Sequence, residues 1–494
     1  MPTDQPNILL IMTDQHRADS LGCYGNSICK TPNIDSLAVQ GMRFDSAITC
    51  TAICTAARAS LVTGLMPHKH GLVANYERNI AYPTELADDI VPFSRNLQAQ
   101  NYRCGHVGKW HVGQTRGPDE SGFEGHHYFG WCPPVQHWDY QQYLKDYDLP
   151  PFTFHDEIRG TFPNGQPGNL IGATLDGPVE TTWPHYLANR TIERLDLYTK
   201  EQQHTAQPFF LNCCIYEPHL PYILPEEYRN AINPRDIPEV PTMRDTFEGK
   251  PRVQQHYADH WCFDSFSWEQ WQEIIAMYYG SVMAVDDQVG RILVALEEFG
   301  LADNTVVLFT ADHGAFVGSH KMSDKGPAMY DDIYRIPLLA RGPGIVQPNT
   351  VCNAPVNMVD LTATFVDLAG GDVPAHYDGR SIAPLLKGET PEDWPDYAIA
   401  EFHGHHFPYP QRMIRTADYK LIINPPDVNE LYDLKNDPLE MTNLYNNPVH
   451  RDAQLQLTQT LYKRLKNDGD NFFHWMTSMC DTGGIAGDAS LSQY

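Results

Sequence analysis

The chain has 494 residues and a formal net charge of −27, with 62 acidic against 35 basic side chains. The acidic residues are spread along the chain and no basic run occurs, which excludes nucleic acid as the main partner because phosphate binding needs clustered Lys and Arg. Hydrophobic content of 42% with 38 prolines describes a loop-rich globular enzyme, too long for one small core, so one large domain plus a smaller one is expected.

The first residues, MPTDQPNILLIMTDQHRADS, carry no basic segment before a short apolar run, and Asp14 follows it, so no signal peptide is expected. No stretch has the length of a membrane span. The 11 cysteines are odd in number and irregularly spaced, which points to free thiols in a reducing compartment. The expectation is a soluble cytoplasmic protein with no membrane partner.

Short apolar runs ending in polar residues recur at 7–14, 102–111, 208–219 and 305–314, and their length and β-branched or aromatic content predict buried strands. Helical patterns lie between them, clearest from Trp268 to Gly300, where Ile274, Met277, Ser281, Ala284, Val285, Ile292, Leu296 and Phe299 recur at helical spacing. The alternation predicts an α/β fold with a large, mostly parallel sheet covered on both faces. Ligands of such sheets sit beyond the carboxyl ends of the strands. All four runs finish there with Asp, His or Lys. The Pro- and acid-rich stretch 378–396 reads as a linker. Two antiparallel strands and a helix near 451–467 follow, then small polar residues over 481–494 that read as a surface arm. The expected division is a catalytic domain over 1–385 and a smaller α+β domain over 386–494.

The segment CTAARASLVTG raises the chemical question. Thr55 to Val62 is rich in small, helix-tolerant residues and Gly64 is a natural stop, so Cys54 falls in a first turn. Free N–H groups and the helix dipole favour an anion there, and Arg58, four residues on, shares the face. Alone, Cys-x-Ala-x-Arg is short, and a buried structural Cys followed by an exposed Arg is the plainer reading.

The rest of the chain shifts that balance. PNILLIMTDQHRADSLGCYGN, CTAAR, GKWHVG, EPHLPY, TADHGAFVGSHKMSDKG, RIPLLARGPG and ELYDLKNDPLEMTNL occur in this order. Together they resemble the type I sulfatases of the alkaline-phosphatase-like superfamily, across nearly the whole chain. The resemblance implies an alkaline-phosphatase-like fold and oxidation of Cys54 to formylglycine by a sulfatase-maturing enzyme. It implies a divalent metal at Asp14, Gln15, Asp312 and His313. Oxygen-rich ligation favours Ca²⁺, while the histidine also admits Mn²⁺, and Mg²⁺ is a further candidate. Many sulfatases carry a second acid in place of Gln15 and an Asn in place of His313, so the metal's identity stays open. Lys109 and His111 match residues flanking the formylglycine, His219 a leaving-group acid, and Lys325 a sulfate-binding lysine. The implied mechanism has one oxygen of the aldehyde hydrate attack sulfur while Lys109, Lys325 and Arg58 neutralise the sulfate oxygens. His219 protonates the departing alcohol, and His111 takes the second hydroxyl's proton as sulfate leaves. The expected substrate is a small sulfate ester, of a saccharide by preference. Within the superfamily, a phosphonate monoester or phosphodiester hydrolase is the rival; a non-catalytic binding protein with unmodified Cys54 is the rival of another class. A homo-oligomer stays open.

Two histidine-rich runs, 124–131 and 401–410, lack metal-ligand spacing and read first as loops packing aromatics, second as walls of a leaving-group pocket suited to a sugar.

Overall fold

The computed structural model describes residues 5–78, 82–162, 164–261, 263, 266–425 and 427–485. Residues 486–494 of the expected arm lie outside the described residues.

The main sheet has eight strands, in spatial order Thr350–Cys352, Met42–Phe44, Leu338–Arg341, Thr305–Ala311, Asn7–Thr13, Phe209–Cys214, Arg103–Lys109 and Glu124–Tyr128. The five from Thr305–Ala311 to Glu124–Tyr128 run parallel, while Leu338–Arg341 pairs antiparallel with both its neighbours. Asn7–Thr13 is buried at every position because helices cover both faces of the sheet, so its unbroken apolar run is what such a strand requires. Leu9 and Ile11 face the layer holding helices Trp183–Thr205 and Trp268–Glu298. Ile8, Leu10 and Met12 face the opposite layer, which holds helices Cys54–Thr63 and Met358–Leu368. The period of two thus sorts one strand between two cores.

Strand register sets the site. Thr13 lies opposite Ala311, so Asp14 and Asp312 emerge side by side, and the Asp312 N–H donates to the Thr13 carbonyl at 3.1 Å. Gly108 pairs with Cys214 across the next interface. Gly108 has φ 105°, and a Cβ there would run into the Cys214 carbonyl, so only glycine lets Lys109 reach the same edge.

The C-terminal part is a four-stranded antiparallel sheet, Tyr397–Gly404, Pro408–Thr416, Tyr419–Ile423 and Glu430–Asp433, with helix Arg451–Asp468 packed on it. The histidine-rich run at 401–410 is thus two strands and their turn rather than a plain loop, and the run at 124–131 supplies an edge strand of the main sheet. The stretch expected to link the two parts sends Ile382, Leu385 and Leu386 into the core beside Met358 and Phe365. A three-stranded sheet, Phe154–Thr161, Pro167–Leu175 and Tyr222–Leu224, was not foreseen. Among the described residues no helix is long and apolar enough to cross a membrane, and the described cysteines are all free.

Candidate active site

Helix Cys54–Thr63 begins at the expected residue, and Gly64 ends it with φ 70°, its N–H bonded to the Ser60 carbonyl. Ile53 cannot cap the helix with its side chain, and Asn75 does so from outside by accepting from the Thr55 N–H at 3.1 Å. Cys54 is fully buried, with Sγ 3.2 Å from His313 Nε2 and 3.7 Å from Asp14 Oδ1. Burial, then the Asp14 charge, pushes its thiol up to about 12, so the unmodified side chain is a neutral thiol and a poor nucleophile.

The structure brings three of the four expected metal ligands, Asp14, Asp312 and His313, together around Cys54. Donor atoms of Asp14, Cys54, Asp312 and His313 all lie within 4.8 Å of one another. His313 Nδ1 donates to the Gly314 carbonyl at 2.8 Å, which leaves Nε2 unprotonated and facing Asp14 Oδ1 and Asp312 Oδ1 at 3.9 and 3.8 Å. Gln15, at φ 60°, hydrogen-bonds Asp324 through Nε2, while its buried Oε1 has no hydrogen-bond partner among the described residues. Two buried carboxylates, an unprotonated imidazole nitrogen and an unpaired amide oxygen form a donor set that fits a hard divalent cation. Burial alone would raise the Asp14 carboxyl, but Lys109 foremost, with His219 and Arg58, holds it well below the usual carboxylate range.

Arg58 departs from its expected role on the sulfate oxygens. Its Nε donates to Asp312 Oδ2 at 2.8 Å, Nη2 to Asp14 Oδ2 at 3.1 Å and Nη1 to the Lys109 carbonyl at 3.1 Å. A rigid guanidinium fork satisfies two carboxylates at once and fixes their Oδ2 atoms away from the Oδ1 pair. Arg58 is a positioning residue.

Lys109 Nζ bonds Asp14 Oδ2 at 2.6 Å and the Trp131 carbonyl at 3.0 Å, and it lies 5.5 Å from the centre of the Tyr216 ring. His111, at φ 53°, bonds Glu77 through Nε2 at 2.9 Å, and burial followed by Lys109 lowers it to about 4. The ring is therefore neutral with its proton on the Glu77 side, and Nδ1, without a hydrogen-bond partner among the described residues, keeps a free lone pair. His219 shows the converse arrangement. Its Nδ1 donates to the Leu220 carbonyl, its Nε2 lies 3.4 Å from Lys325 Nζ, and burial followed by Lys325 lowers it to about 3. Lys325 also bonds Asp324 at 3.0 Å; burial opposes its charge, but Asp324 overrides that and raises it above the usual lysine value.

Three supports escaped the sequence reading. Glu77 fixes the His111 tautomer from a short turn at Tyr76–Arg78 that carries no periodic signal. Asp324 ties Gln15 to Lys325 and stands within the quoted SDKG, where its acidity was the available signal. His405, from the C-terminal hairpin, brings Nε2 within 3.7 Å of Asp324 Oδ2, so the histidine-rich run does reach the site.

Comparison with known proteins agrees with this geometry. Residues 6–371 match the sulfatase family model, and residues 318–467 match the model described as N-sulphoglucosamine sulphohydrolase, C-terminal. The chain is 30% identical to the uncharacterized sulfatase YidJ of Escherichia coli (strain K12) over 488 residues, covering 96% of this chain and 90% of that protein. A solved structure in complex with its substrate D-glucosamine-2-N,6-O-disulfate is 25% identical with a TM-score of 0.76, covering 94% of this chain and 99% of that one. A phosphonate monoester hydrolase from Silicibacter pomeroyi is 23% identical with a TM-score of 0.78, covering 94% and 96%, and its likeness shows the fold alone.

Proposed function

The chain belongs to the sulfatase family and is a sulfuric ester hydrolase, and from that premise we propose that it removes sulfate from a carbohydrate at formylglycine made from Cys54. The observation that carries the mechanism is Cys54 itself: its Sγ stands at a helix start, 3.2 Å from His313 Nε2 and beside two buried carboxylates, as a neutral thiol. A nucleophile must be generated there. The glucosamine disulfate bound to the solved relative supports the carbohydrate reading.

When present, the aldehyde hydrate and a divalent cation, calcium by preference, supply an oxygen nucleophile aimed at sulfur. Asp14, Gln15, Asp312 and His313 would hold the cation, and Arg58 keeps the two carboxylates in register. Lys109 and Lys325 present buried amino groups where sulfate oxygens would lie, and burial strengthens their interaction with an anion. The His219–Lys325 pair holds a proton for the leaving alcohol, because sulfate's negative charge favours the protonated imidazole that burial and Lys325 disfavour. His111 Nδ1 is the free base that takes a proton when sulfate departs. The reading divides the chain near residue 385, with the smaller part lending His405 to the site, and the free cysteines support a reducing, cytoplasmic location. A maturing enzyme is an implied partner.

The test compares turnover of a sulfated saccharide, an aryl phosphonate and a phosphodiester by one metal-loaded preparation. Sulfate release at the highest kcat/KM supports the reading; faster phosphonate or phosphodiester cleavage overturns it.

A further inference from the structure

Resting on the sulfatase reading, we propose that a cavity beside the catalytic residues receives an apolar ring of the released alcohol, with Glu217 hydrogen-bonding a polar substituent on that ring. The cavity has a volume of about 360 Å³, and Trp131, Phe152, Phe154, Trp183, Pro221 and Leu224 line it. A cavity of roughly 150 Å³ holds one benzene, so this one has room for about two fused rings.

Two contacts and one sequence neighbour join the cavity to the catalytic residues. The Trp131 carbonyl accepts from Lys109 Nζ at 3.0 Å, the Trp131 ring lies 5.7 Å from the His219 ring, and Glu217 precedes His219 by two residues. Trp131 is 41% exposed, so its ring borders both the cavity and solvent. Flat aromatic walls favour a flat apolar partner, and Trp131 stands between the cavity it lines and the His219 ring.

Glu217 is the only side chain of ordinarily charged type among the described lining residues. Its Oε2 is shut off from solvent and has no hydrogen-bond partner among the described residues. Burial foremost pushes its carboxyl up to about 8, so at neutral pH it offers an O–H to a ligand without the cost of a buried charge. On a saccharide the ring would be an aryl aglycone or a comparable apolar substituent.

The experiment measures sulfate release from phenyl sulfate and 2-naphthyl sulfate, whose phenols have similar acidity, with wild-type enzyme, Leu170→Trp and Val135→Trp. Both substitutions fill the cavity from half-buried positions outside the catalytic residues. Wild type should prefer the naphthyl ester by about tenfold in kcat/KM, from the extra apolar area buried. The variants should bring the ratio near one and leave phenyl sulfate within about twofold. In parallel, binding of 2-naphthol and of 2,6-dihydroxynaphthalene is measured by calorimetry in wild type, both variants and Glu217→Leu. Glu217→Leu should weaken the diol by about tenfold and leave 2-naphthol unchanged, and an unchanged diol affinity overturns the role of Glu217. Equal ratios in all enzymes, with no naphthol binding to wild type, overturn the proposal while sulfate release still upholds the family reading. Naphthol binding that either tryptophan abolishes supports the cavity assignment even if neither ester is cleaved, a result that would instead count against the sulfatase reading.

Discussion

Two clusters of histidine and carboxylate look alike in composition and differ in what their carboxylate oxygens face. One is Asp14, Asp312 and His313 at the end of the main sheet; the other is His68, Glu401 and Asp470, where the helix turn Pro67–His70 meets the C-terminal sheet. An arginine serves each. Arg58 bonds one oxygen of each carboxylate, and the Oδ1 atoms of Asp14 and Asp312 remain turned toward Cys54 and His313. Arg412 bonds both oxygens of Asp470, at 2.5 and 3.2 Å. Glu401 accepts from His68 Nδ1 on one oxygen, and from the His68 N–H and His403 on the other. The second cluster is a closed ion-pair network that ties the two parts of the chain together. The first is open on one side, and that side is where chemistry belongs.

Breaking the open cluster should have the largest effect. Cys54→Ala should cut sulfate release by on the order of 10⁶-fold, with circular dichroism unchanged, since the helix gains a good helix former. Asp312→Asn should lower both metal content and kcat/KM, the latter by on the order of 10³-fold. Metal analysis and kinetics on the same sample check this; full metal content with lost activity would move Asp312 off the metal. His219→Ala should cost about 10²- to 10⁴-fold on alkyl sulfates and much less on activated aryl sulfates. Parallel plots of rate against leaving-group pKa for the two enzymes would remove His219 from the proton-donor role.

Breaking the closed cluster should act on stability instead. Arg412→Met leaves Glu401 and Asp470 buried without their guanidinium, and about 3–5 kcal/mol of unfolding free energy should be lost. Metal content and kcat of the folded fraction should stay within about twofold of wild type. Loss of metal here would mean that the two clusters are coupled.

The smallest effect is one of pH. Burial opposes a charge on His68, but its bond to Glu401 overrides this and holds the imidazole above its ordinary 6.5. A raised folded value means that the contribution is fully present below pH 6.5 and fades as pH climbs through the folded value. Stability should therefore decline from pH 6.5 upward in wild type and lose that slope in Glu401→Gln, measured by urea unfolding in low-salt buffers.

The open cluster was legible in sequence because parallel strands end in line, so residues just after predicted strands meet whatever their separation. Asp14 and Asp312 are 298 positions apart, yet one register places them together. The C-terminal antiparallel strands and the helix over Arg451–Asp468 were legible from turn residues and helical spacing. The closed cluster was not legible, because His68, Glu401 and Asp470 come from a helical turn, a strand and a connection between two helices, with no shared pattern. Phe154–Thr161 escaped for a different reason: half exposed and largely polar, it has no alternation to read. Arg58 was found as a residue and misread as to role. Its spacing from Cys54 placed it on the right face, but only the three-dimensional fold shows three of its N–H groups bonded to Asp14, Asp312 and the Lys109 carbonyl.

The central claim is that Cys54 is a precursor. Its most direct test is the mass of the peptide containing Cys54, in preparations made with and without a sulfatase-maturing enzyme, alongside sulfate release from the same samples. The account predicts replacement of the CH₂–SH side chain by an aldehyde, with specific activity rising in proportion to the converted fraction. Full activity in a preparation whose Cys54 peptide is entirely the free thiol would contradict it.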